Sequence, residues 1–415
     1  MSAFSGSALS LRDRLRKPVP PAAAVLWPLA LAFFADLVLR SYSATRVIVD
    51  FGILHDGAVR LVHGQSVYSD PFFLLPPSGL FLVAPFGLLS AHTAFLIWNT
   101  LSILAAVIGV ACAVRFAGLS IRGPVGAALL LVLSLSESLT TTLLLGNLNI
   151  CVLLALGSGY LLAERRGRPR LAGVLLGLSL AVKPVFVLVL LLPLLQRRWR
   201  TVGWAIAIPA VLNVAGFLLT PHRGDFLSIA VTNLLSARPG TNSSLWAMGV
   251  YWGVPGPTVA VLRVLIVLLA LAGVWRLRSL PDRLCGLAVG YGLVLIATFL
   301  SFSLSEGYYS MLLAPLLVTA VRAGSPMRNP VAWVGVYFFL ALNVWTAPQL
   351  PGLSARLATS RWTLGWLLLF AVLVVWALRR RPVDEPAHVP VLDTLSLDPP
   401  AGWESPVGRD RRMPL

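Results

Sequence analysis

A polar stretch with several ionisable side chains follows the first apolar run of this sequence. Residues 47–77 read VIVDFGILHDGAVRLVHGQSVYSDPFFLLPP. Ionisable groups beside a hydrocarbon phase are energetically expensive, so such groups are candidates for function. Asp50 could accept a proton from a hydroxyl nucleophile as a general base. It could equally cap a helix or pair with Arg46 or Arg60, and the sequence leaves these interpretations open.

The histidines of the same stretch do not indicate a metal site. His55 and Asp56 are adjacent in sequence, so they cannot share one helix face. The spacing between His55 and His63 is not a specific zinc pattern. The sequence therefore predicts no set of metal ligands.

Two later segments place polar groups at the edge of apolar runs. GNLN at 146–149 supplies Asn147 and Asn149, which could bind sugar hydroxyls or cap the next helix. LAVKPVF at 180–186 holds Lys183 within an apolar segment. A lysine that faces the interior of a helix bundle suits a phosphate ligand, whereas a snorkelling lysine reaches the interface instead.

The loop at 220–257 and the segment LSEGYYSMLLAP at 304–315 add more polar groups on the same predicted side. Amide, hydroxyl and aromatic groups together are typical of a sugar-binding surface, although Trp246, Tyr251 and Trp252 could be interfacial belt residues. Acidic residues do not form a chain through the apolar segments, which argues against a proton relay or an ion pathway. The candidates from these two segments are Arg238, Asn242, Ser243, Glu306, Tyr308 and Tyr309.

The composition indicates a multi-span α-helical membrane protein. Of 415 residues, 57% are hydrophobic and only 12% are charged, about half the charged fraction of soluble domains. The net charge is +17, but the basic residues stand in short clusters between apolar runs, as at 165–170 and 197–200. This pattern follows the positive-inside rule and does not form a nucleic-acid-binding face, so no nucleic-acid partner is predicted.

Ten apolar segments are predicted to span the membrane as helices. They are 24–40, 94–114, 124–142, 148–163, 201–219, 258–277, 285–304, 308–322, 331–346 and 361–378. Residues 1–23 are predicted to be a cytoplasmic segment and 24–380 one membrane domain. Because 381–415 is Pro-rich and polar, it is predicted to be a disordered cytoplasmic tail.

Two further apolar segments, 73–90 and 171–195, have an ambiguous topology. If 73–90 lies along the surface or re-enters, the arginine clusters fall inside, and 171–195 must be a hairpin that breaks at Lys183-Pro184. Each half of that hairpin would be too short to cross about 30 Å of hydrocarbon. The competing topology makes both segments ordinary spans and puts six arginines outside. We favour the hairpin.

Several stretches resemble glycosyltransferase family 87, a family of membrane enzymes of the GT-C superfamily that use polyprenyl-phosphate sugars. They are VYSD…LLPPSGLFLVAPFGLL, GNLNICVLL, GVLLGLSLAVKPVFVLVLLLPLLQRRWR, NSS…GVYWGVP and SEGYYSMLLAP. The resemblance runs from about residue 24 to 380 and is greatest to the family's actinobacterial branching arabinofuranosyltransferases. It implies an all-α GT-C bundle of about 10–12 transmembrane helices with a large first external loop.

The resemblance also implies a reaction. Arabinofuranose would pass with inversion from decaprenyl-phosphate-arabinofuranose to a 3-hydroxyl of cell-wall arabinan (arabinogalactan or lipoarabinomannan), outside the cytoplasmic membrane. The family's first external loop carries an Asp-Asp pair; this chain has Val49-Asp50 there, so Asp50 is the candidate base. Lys183 and Arg238 would neutralise the leaving phosphate. The predicted sugar- and acceptor-binding residues are His55, Asp56, Tyr68, Asn147, Asn149, Asn242, Ser243, Glu306, Tyr308 and Tyr309.

The predicted partners are the polyprenyl-phosphate donor, the arabinan acceptor and membrane lipids. No cofactor is predicted beyond the donor lipid, and a divalent ion at the phosphate stays open. The nearest alternative is a sister enzyme that uses polyprenyl-phosphate-mannose, because sugar choice depends on a few pocket contacts. A lipid flippase would show inverted repeats, which we do not find in the sequence. A non-catalytic scaffold for wall synthesis is the remaining alternative.

Overall fold

The computed structural model describes residues 20–380, except 44–48, 239–241, 279, 281, 342–348 and 350. Its described residues form helices and turns without any β-strand, so the all-α prediction is confirmed. The predicted tail at 381–415 and residues 1–19 of the predicted N-terminal segment lie outside the described residues.

We number the helices of eight or more residues in chain order. They are α1 (Pro21–Ser43), α2 (Val49–Val62), α3 (Ala91–Phe116), α4 (Pro124–Ser134), α5 (Glu137–Leu144), α6 (Leu148–Arg165), α7 (Pro169–Val182), α8 (Trp199–Leu219), α9 (Leu245–Trp252), α10 (Gly256–Leu277), α11 (Arg283–Ser301), α12 (Pro330–Leu340) and α13 (Pro351–Arg379). Shorter helical segments are Val67–Ser69, Pro77–Gly79, Leu80–Val83, Ala84–Leu88, Pro184–Leu190, Leu191–Leu195, Phe226–Val231, Thr232–Leu234, Gly307–Leu313, Ala314–Leu317, Val318–Val321 and Pro326–Arg328.

Seven of the described helices are long and apolar enough to cross a membrane: α1, α3, α6, α8, α10, α11 and α13. An eighth span results if α4 and α5, which meet at an angle of 60°, are counted together. The predicted spans at 308–322 and 331–346 correspond to shorter apolar helices, Gly307–Val321 and Pro330–Leu340. The architecture is therefore that of a polytopic membrane protein, in which several helices are broken or short.

The broken segment at 171–195 is one of these, and it breaks where the sequence predicted. Helix α7 ends at Val182, and Pro184 begins a 3₁₀ segment. Because a residue before proline avoids the helical region, Lys183 is extended, with φ −158° and ψ 131°. The 14 residues of α7 are fewer than the roughly 20 that a spanning helix needs.

The two helices on either side of this break run parallel to each other. Gly173 of α7 packs against the backbone of Thr201 in α8, and Gly177 packs one turn further along against Trp204. Since α7 and α8 point the same way, the chain from 184 to 195 must return. This is the hairpin that the sequence predicted, with both arginine clusters at one end of the bundle.

The other ambiguous segment, 73–90, forms three short helical turns instead of a regular span. Its backbone packs closely on two neighbours, since a β-carbon at Gly87 would lie 2.3 Å from the carbonyl oxygen of Ala58, and one at Gly216 would lie 2.1 Å from that of Pro77. The Ser78 hydroxyl donates to the carbonyl oxygen of Ala181 at 2.5 Å. The segment therefore ties α2 to the hairpin tip beside Lys183.

Candidate active site

Asp50 lies in a cradle built from the start of α2 and the turn between α5 and α6. The backbone N–H groups of Asp50 and Phe51 both donate to the carbonyl oxygen of Leu145, each at 3.1 Å. Gly146 turns the chain with a φ of 72°, a conformation that favours glycine. The Trp98 indole donates to the Gly146 carbonyl oxygen at 2.7 Å. These contacts fix the following residue, Asn147, beside Asp50.

Asn147 links the Asp50 carboxylate to a second part of the chain. Its Nδ2 donates to Asp50 Oδ2 at 2.7 Å and to the Tyr308 hydroxyl oxygen at 3.1 Å. The Tyr308 hydroxyl in turn interacts with the Glu306 carboxylate. One amide and one phenol thus join two carboxylates that are 256 positions apart in the sequence.

Lys183 supplies a cation at the same place. Its ammonium lies 4.7 Å from the centroid of the Tyr309 ring, within the range of a cation–π contact. It interacts electrostatically with Glu306 and Asp50. The break at Pro184 is what directs this side chain out of the helical hairpin and into the cluster.

Glu306 is held by an unusual backbone arrangement before it. The Asn242 Oδ1 accepts from the N–H groups of Ser244 at 3.0 Å and Ser305 at 2.8 Å. The Ser243 N–H donates to the Ser305 carbonyl oxygen at 2.6 Å. Asn242 and Ser243 are both buried. They hold the segment at 303–305 and so position Glu306.

Arg238 approaches the cluster from the loop at 220–257. Its guanidinium lies 5.4 Å from the centroid of the Phe72 ring and donates to the Asn233 carbonyl oxygen at 3.2 Å. It also interacts electrostatically with Glu306. Its Nε is buried and has no hydrogen-bond partner among the described residues, so the guanidinium keeps a donor for a further group.

Other polar atoms near this point also lack partners. Asn147 Oδ1, Asn149 Oδ1 and Ser305 Oγ are buried without a hydrogen bond to any described residue. Buried polar groups are nearly always hydrogen-bonded, so each such atom calls for an explanation. A bound polyhydroxylated ligand would supply donors to the two amide oxygens, Asn147 Oδ1 and Asn149 Oδ1.

Burial changes the acidity of both carboxylates. Burial raises the pKa of Asp50, while the Asn147 hydrogen bond and the nearby Lys183 oppose the rise. Burial also raises the pKa of Glu306, against the influence of Lys183 and the Tyr308 hydroxyl. A carboxylate with a raised pKa is a stronger base once ionised, which suits proton abstraction from an alcohol.

Comparisons with known proteins identify the family of this chain. The family model of glycosyltransferase family 87 matches residues 73–303, which is more than half of the chain. The chain belongs to glycosyltransferase family 87. The match includes Asn147, Lys183, Arg238 and Asn242, whereas Asp50 lies before it and Glu306 just after it.

Three curated relatives of this glycosyltransferase are each named alpha-(1->3)-arabinofuranosyltransferase. The relative from Mycolicibacterium smegmatis is 33% identical over 362 residues, which cover 84% of each chain. The relative from Mycobacterium tuberculosis is 32% identical over 385 residues, 88% of each chain. The relative from Corynebacterium glutamicum is 30% identical over 365 residues, 86% of this chain and 87% of its own.

Two of the predicted sugar-binding residues, His55 and Tyr68, have other contacts in this glycosyltransferase, and a third, Asp56, is exposed. The His55 ring stacks on Phe51 at 5.5 Å, and its Nε2 lies 3.3 Å from the Leu89 carbonyl oxygen. Tyr68 is fully buried and donates to the Leu75 carbonyl oxygen at 3.1 Å. Asp56 is exposed on α2. The structure therefore uses His55 and Tyr68 to pack the segment at 49–90, and a role of all three residues in sugar binding stays a prediction.

Some residues that shape the site escaped the sequence analysis. Trp98 lies within a predicted apolar span and carries no sequence signal of its own, yet its indole holds the turn at Gly146. Gly307 is required by packing, because a β-carbon there would lie 2.2 Å from the Trp362 ring. The signal in the sequence for Gly307 is its place directly after the polar residues Ser305 and Glu306. In the described parts of the chain, no group of three His, Cys, Asp or Glu side chains could hold a metal ion.

Proposed function

We propose that this family 87 glycosyltransferase transfers arabinofuranose from decaprenyl-phosphate-arabinofuranose to the 3-hydroxyl of an arabinan, with inversion. The observation that carries the proposal is the enclosed cluster in which the Asp50 carboxylate, the Asn147 amide and the Lys183 ammonium meet. A base and a cation side by side are what a single displacement at a sugar phosphate needs. The names of the curated relatives support arabinofuranose as the sugar.

The residues divide the reaction between them. Asp50 takes the proton of the acceptor 3-hydroxyl while that oxygen forms a bond to C1 of the donor sugar. The bond between C1 and the phosphate oxygen breaks, and its electron pair leaves with the lipid phosphate. Lys183 and the free Nε of Arg238 neutralise that phosphate. Asn147 Oδ1 and Asn149 Oδ1 accept hydrogen bonds from sugar hydroxyls.

The cluster of Asp50, Asn147 and Lys183 is proposed to lie on the outer side of the cytoplasmic membrane. Helix α6 begins at Leu148 beside the site and ends at Arg165, about 27 Å away at 1.5 Å per residue. The arginines at 165–170 and 197–200 gather at that far end. The positive-inside rule assigns such an end to the cytoplasm, which puts the cluster on the opposite side.

The test is reconstitution of the full chain in membranes with a synthetic α-(1→5) arabinan acceptor and one of two donors. Decaprenyl-phosphate-arabinofuranose is expected to give a new 3-linked branch, detected by linkage analysis. Transfer only from the corresponding mannose donor would overturn the choice of sugar. Absence of transfer from both donors, with folded protein, would overturn the proposed activity.

A further inference from the structure

The end of the bundle opposite the candidate site contains two adjoining arginine-lined cavities. One has a volume of about 600 Å³ and is lined by Arg197, Arg198, Arg278 and Arg283, among others. The second, of about 500 Å³, shares three of these arginines and adds Arg200. Neither cavity has an acidic residue among its described lining residues. The space is therefore strongly cationic and open to an anion.

One of these arginines occupies a position that favours glycine. Six helix ends in the described chain close with the same pair of bonds, in which the N–H of one residue reaches three residues back and the next N–H reaches five back. Five of them place a glycine with positive φ at the turn: Gly64, Gly118, Gly146, Gly167 and Gly253. The sixth places Arg197 there, with φ 54°. A side chain in this conformation is strained.

No interaction of the Arg197 side chain with the described part of the protein offsets the cost of this backbone conformation. No hydrogen bond or ion pair joins its guanidinium to another described residue. Its neighbour Arg198 behaves differently, because it forms an ion pair with the buried Glu164. The Glu164 carboxylate also accepts from the Thr201 hydroxyl at 3.0 Å. Arg198 therefore has a structural partner, whereas Arg197 presents its charge to the cavity.

The surroundings indicate the depth of the cavity in the membrane. Leu195, Leu277 and Leu287 line it together with the arginines. Trp199 is 63% exposed and Trp275 is 51% exposed beside it, and Arg278 stacks on Trp275 at 3.3 Å. Exposed tryptophans are typical of the membrane interface. A lining of both arginines and leucines matches a phosphate headgroup with its acyl chains.

We propose that this cavity binds the phosphate of an anionic phospholipid, with Arg197, Arg278 and Arg283 as its ligands. Basic pockets between transmembrane helices are a recognised way of holding anionic lipid headgroups. The lipid phosphate pairs with the Arg197 guanidinium and so offsets the cost of its backbone conformation, which no group in the described part of the protein does. The site is separate from the cluster at the other end of α6.

The test is native mass spectrometry of the purified full chain with phosphatidylglycerol or phosphatidylcholine added in detergent. Wild-type protein is expected to retain phosphatidylglycerol in preference. Arg197→Gly is expected to weaken retention about fivefold, and the double change Arg278→Gln with Arg283→Gln about 25-fold, at about fivefold per arginine. Arg170→Gln removes an exposed arginine at the same end that lines neither cavity, and should leave retention unchanged.

Arg197→Gly separates binding from folding, since glycine adopts this φ without strain. Its melting temperature without lipid should equal or exceed that of the wild type. If Arg197→Gly and the double variant both retained phosphatidylglycerol as well as the wild type does, the proposal would be overturned. Equal retention of phosphatidylcholine and phosphatidylglycerol by the wild type would also overturn it. Displacement of the lipid by millimolar inorganic phosphate, with stabilisation of the wild type but not of the variants, would overturn the lipid assignment in favour of a soluble phosphate.

Discussion

The two ends of helix α6 hold charge in opposite ways. Beside Leu148, Asp50, Lys183 and Glu306 sit among buried residues and interact with one another. Beside Arg165, most arginines are exposed, and the ion pair of the buried Glu164 with the partly exposed Arg198 is the exception. The first end keeps mutually interacting carboxylates and a cation away from bulk water, whereas the second leaves mostly positive charge facing it.

This difference fits the two proposed roles, which are chemistry at the first end and membrane orientation at the second. Removing ionised groups from water is expensive unless they are paired, so a small enclosed set of mixed sign suggests a function that needs it. Exposed arginines cost little and can fix topology or hold lipid. Substitutions at the first end should therefore affect catalysis, and substitutions at the second should affect stability or lipid binding.

The largest expected effect comes from Asp50→Asn. Loss of a general base should lower the rate of sugar transfer roughly 10²–10⁴-fold, measured as single turnover with labelled donor. The thermal stability should not fall, because the change removes a buried charge. Asp36→Asn, which changes an exposed carboxylate on α1, is the matched control and should transfer at close to the wild-type rate. Equal rates for all three proteins would contradict the assignment of the base.

Glu164→Gln should destabilise the protein at the other end of α6 without lowering the rate of sugar transfer. It leaves Arg198 without its partner, and we expect a loss of about 2–4 kcal/mol in the free energy of unfolding, below the usual cost because Arg198 is partly exposed. Denaturant unfolding in detergent measures this. Asp36→Asn, in an exposed pair with Arg40 at 2.7 Å, should cost about 0–1 kcal/mol. A lower transfer rate in Glu164→Gln with an unchanged free energy of unfolding would contradict the distinction between the two ends.

Lys183→Met should weaken binding of the lipid-phosphate donor about 10–100-fold, because a charge-assisted contact to the phosphate disappears. Lys183→Arg keeps the charge and should recover part of the affinity. Donor titration by fluorescence or by calorimetry gives the two constants. Undiminished affinity in the methionine variant would remove Lys183 from the phosphate site.

The smallest effect concerns pH. Asn147 donates to the ionised form of Asp50 and so lowers its pKa. In Asn147→Leu the pKa of Asp50 should rise, so deprotonation of the base, and with it the rising limb of kcat/KM, should move to higher pH. Asn149→Leu removes a neighbouring amide without touching Asp50 and should leave that limb in place. A limb that stays put or moves to lower pH in Asn147→Leu would contradict the role of this hydrogen bond.

The sequence predicted most of the features that depend on hydropathy and local chain stiffness. The long spans followed from apolar length, and the hairpin followed from Lys183-Pro184 between two arginine clusters. Asp50, Asn147, Lys183 and Glu306 were all candidates. Their meeting at one point could not be read from spacing, since it depends on how α2, α6 and the hairpin tip pack together.

The predictions for Asn242 and Ser243 illustrate what the sequence could not resolve. Both residue types bind sugars, and both also bond to backbone. Here their polar groups meet the segment at 303–305, which positions Glu306. Tyr68 likewise combines an aromatic ring and a hydroxyl, yet it packs inside the first loop. Which partner such a group finds is decided by the tertiary contact and not by the local sequence.

The most direct test of the account is a structure of the chain with a non-transferable analogue of decaprenyl-phosphate-arabinofuranose. The account predicts phosphate density within hydrogen-bond distance of Lys183 Nζ and Arg238 Nε, with C1 of the sugar facing the Asp50 carboxylate. Density for the donor phosphate at the arginine-lined cavities instead, with the Asp50 cluster unoccupied, would contradict it and would reverse the roles given to the two ends of α6.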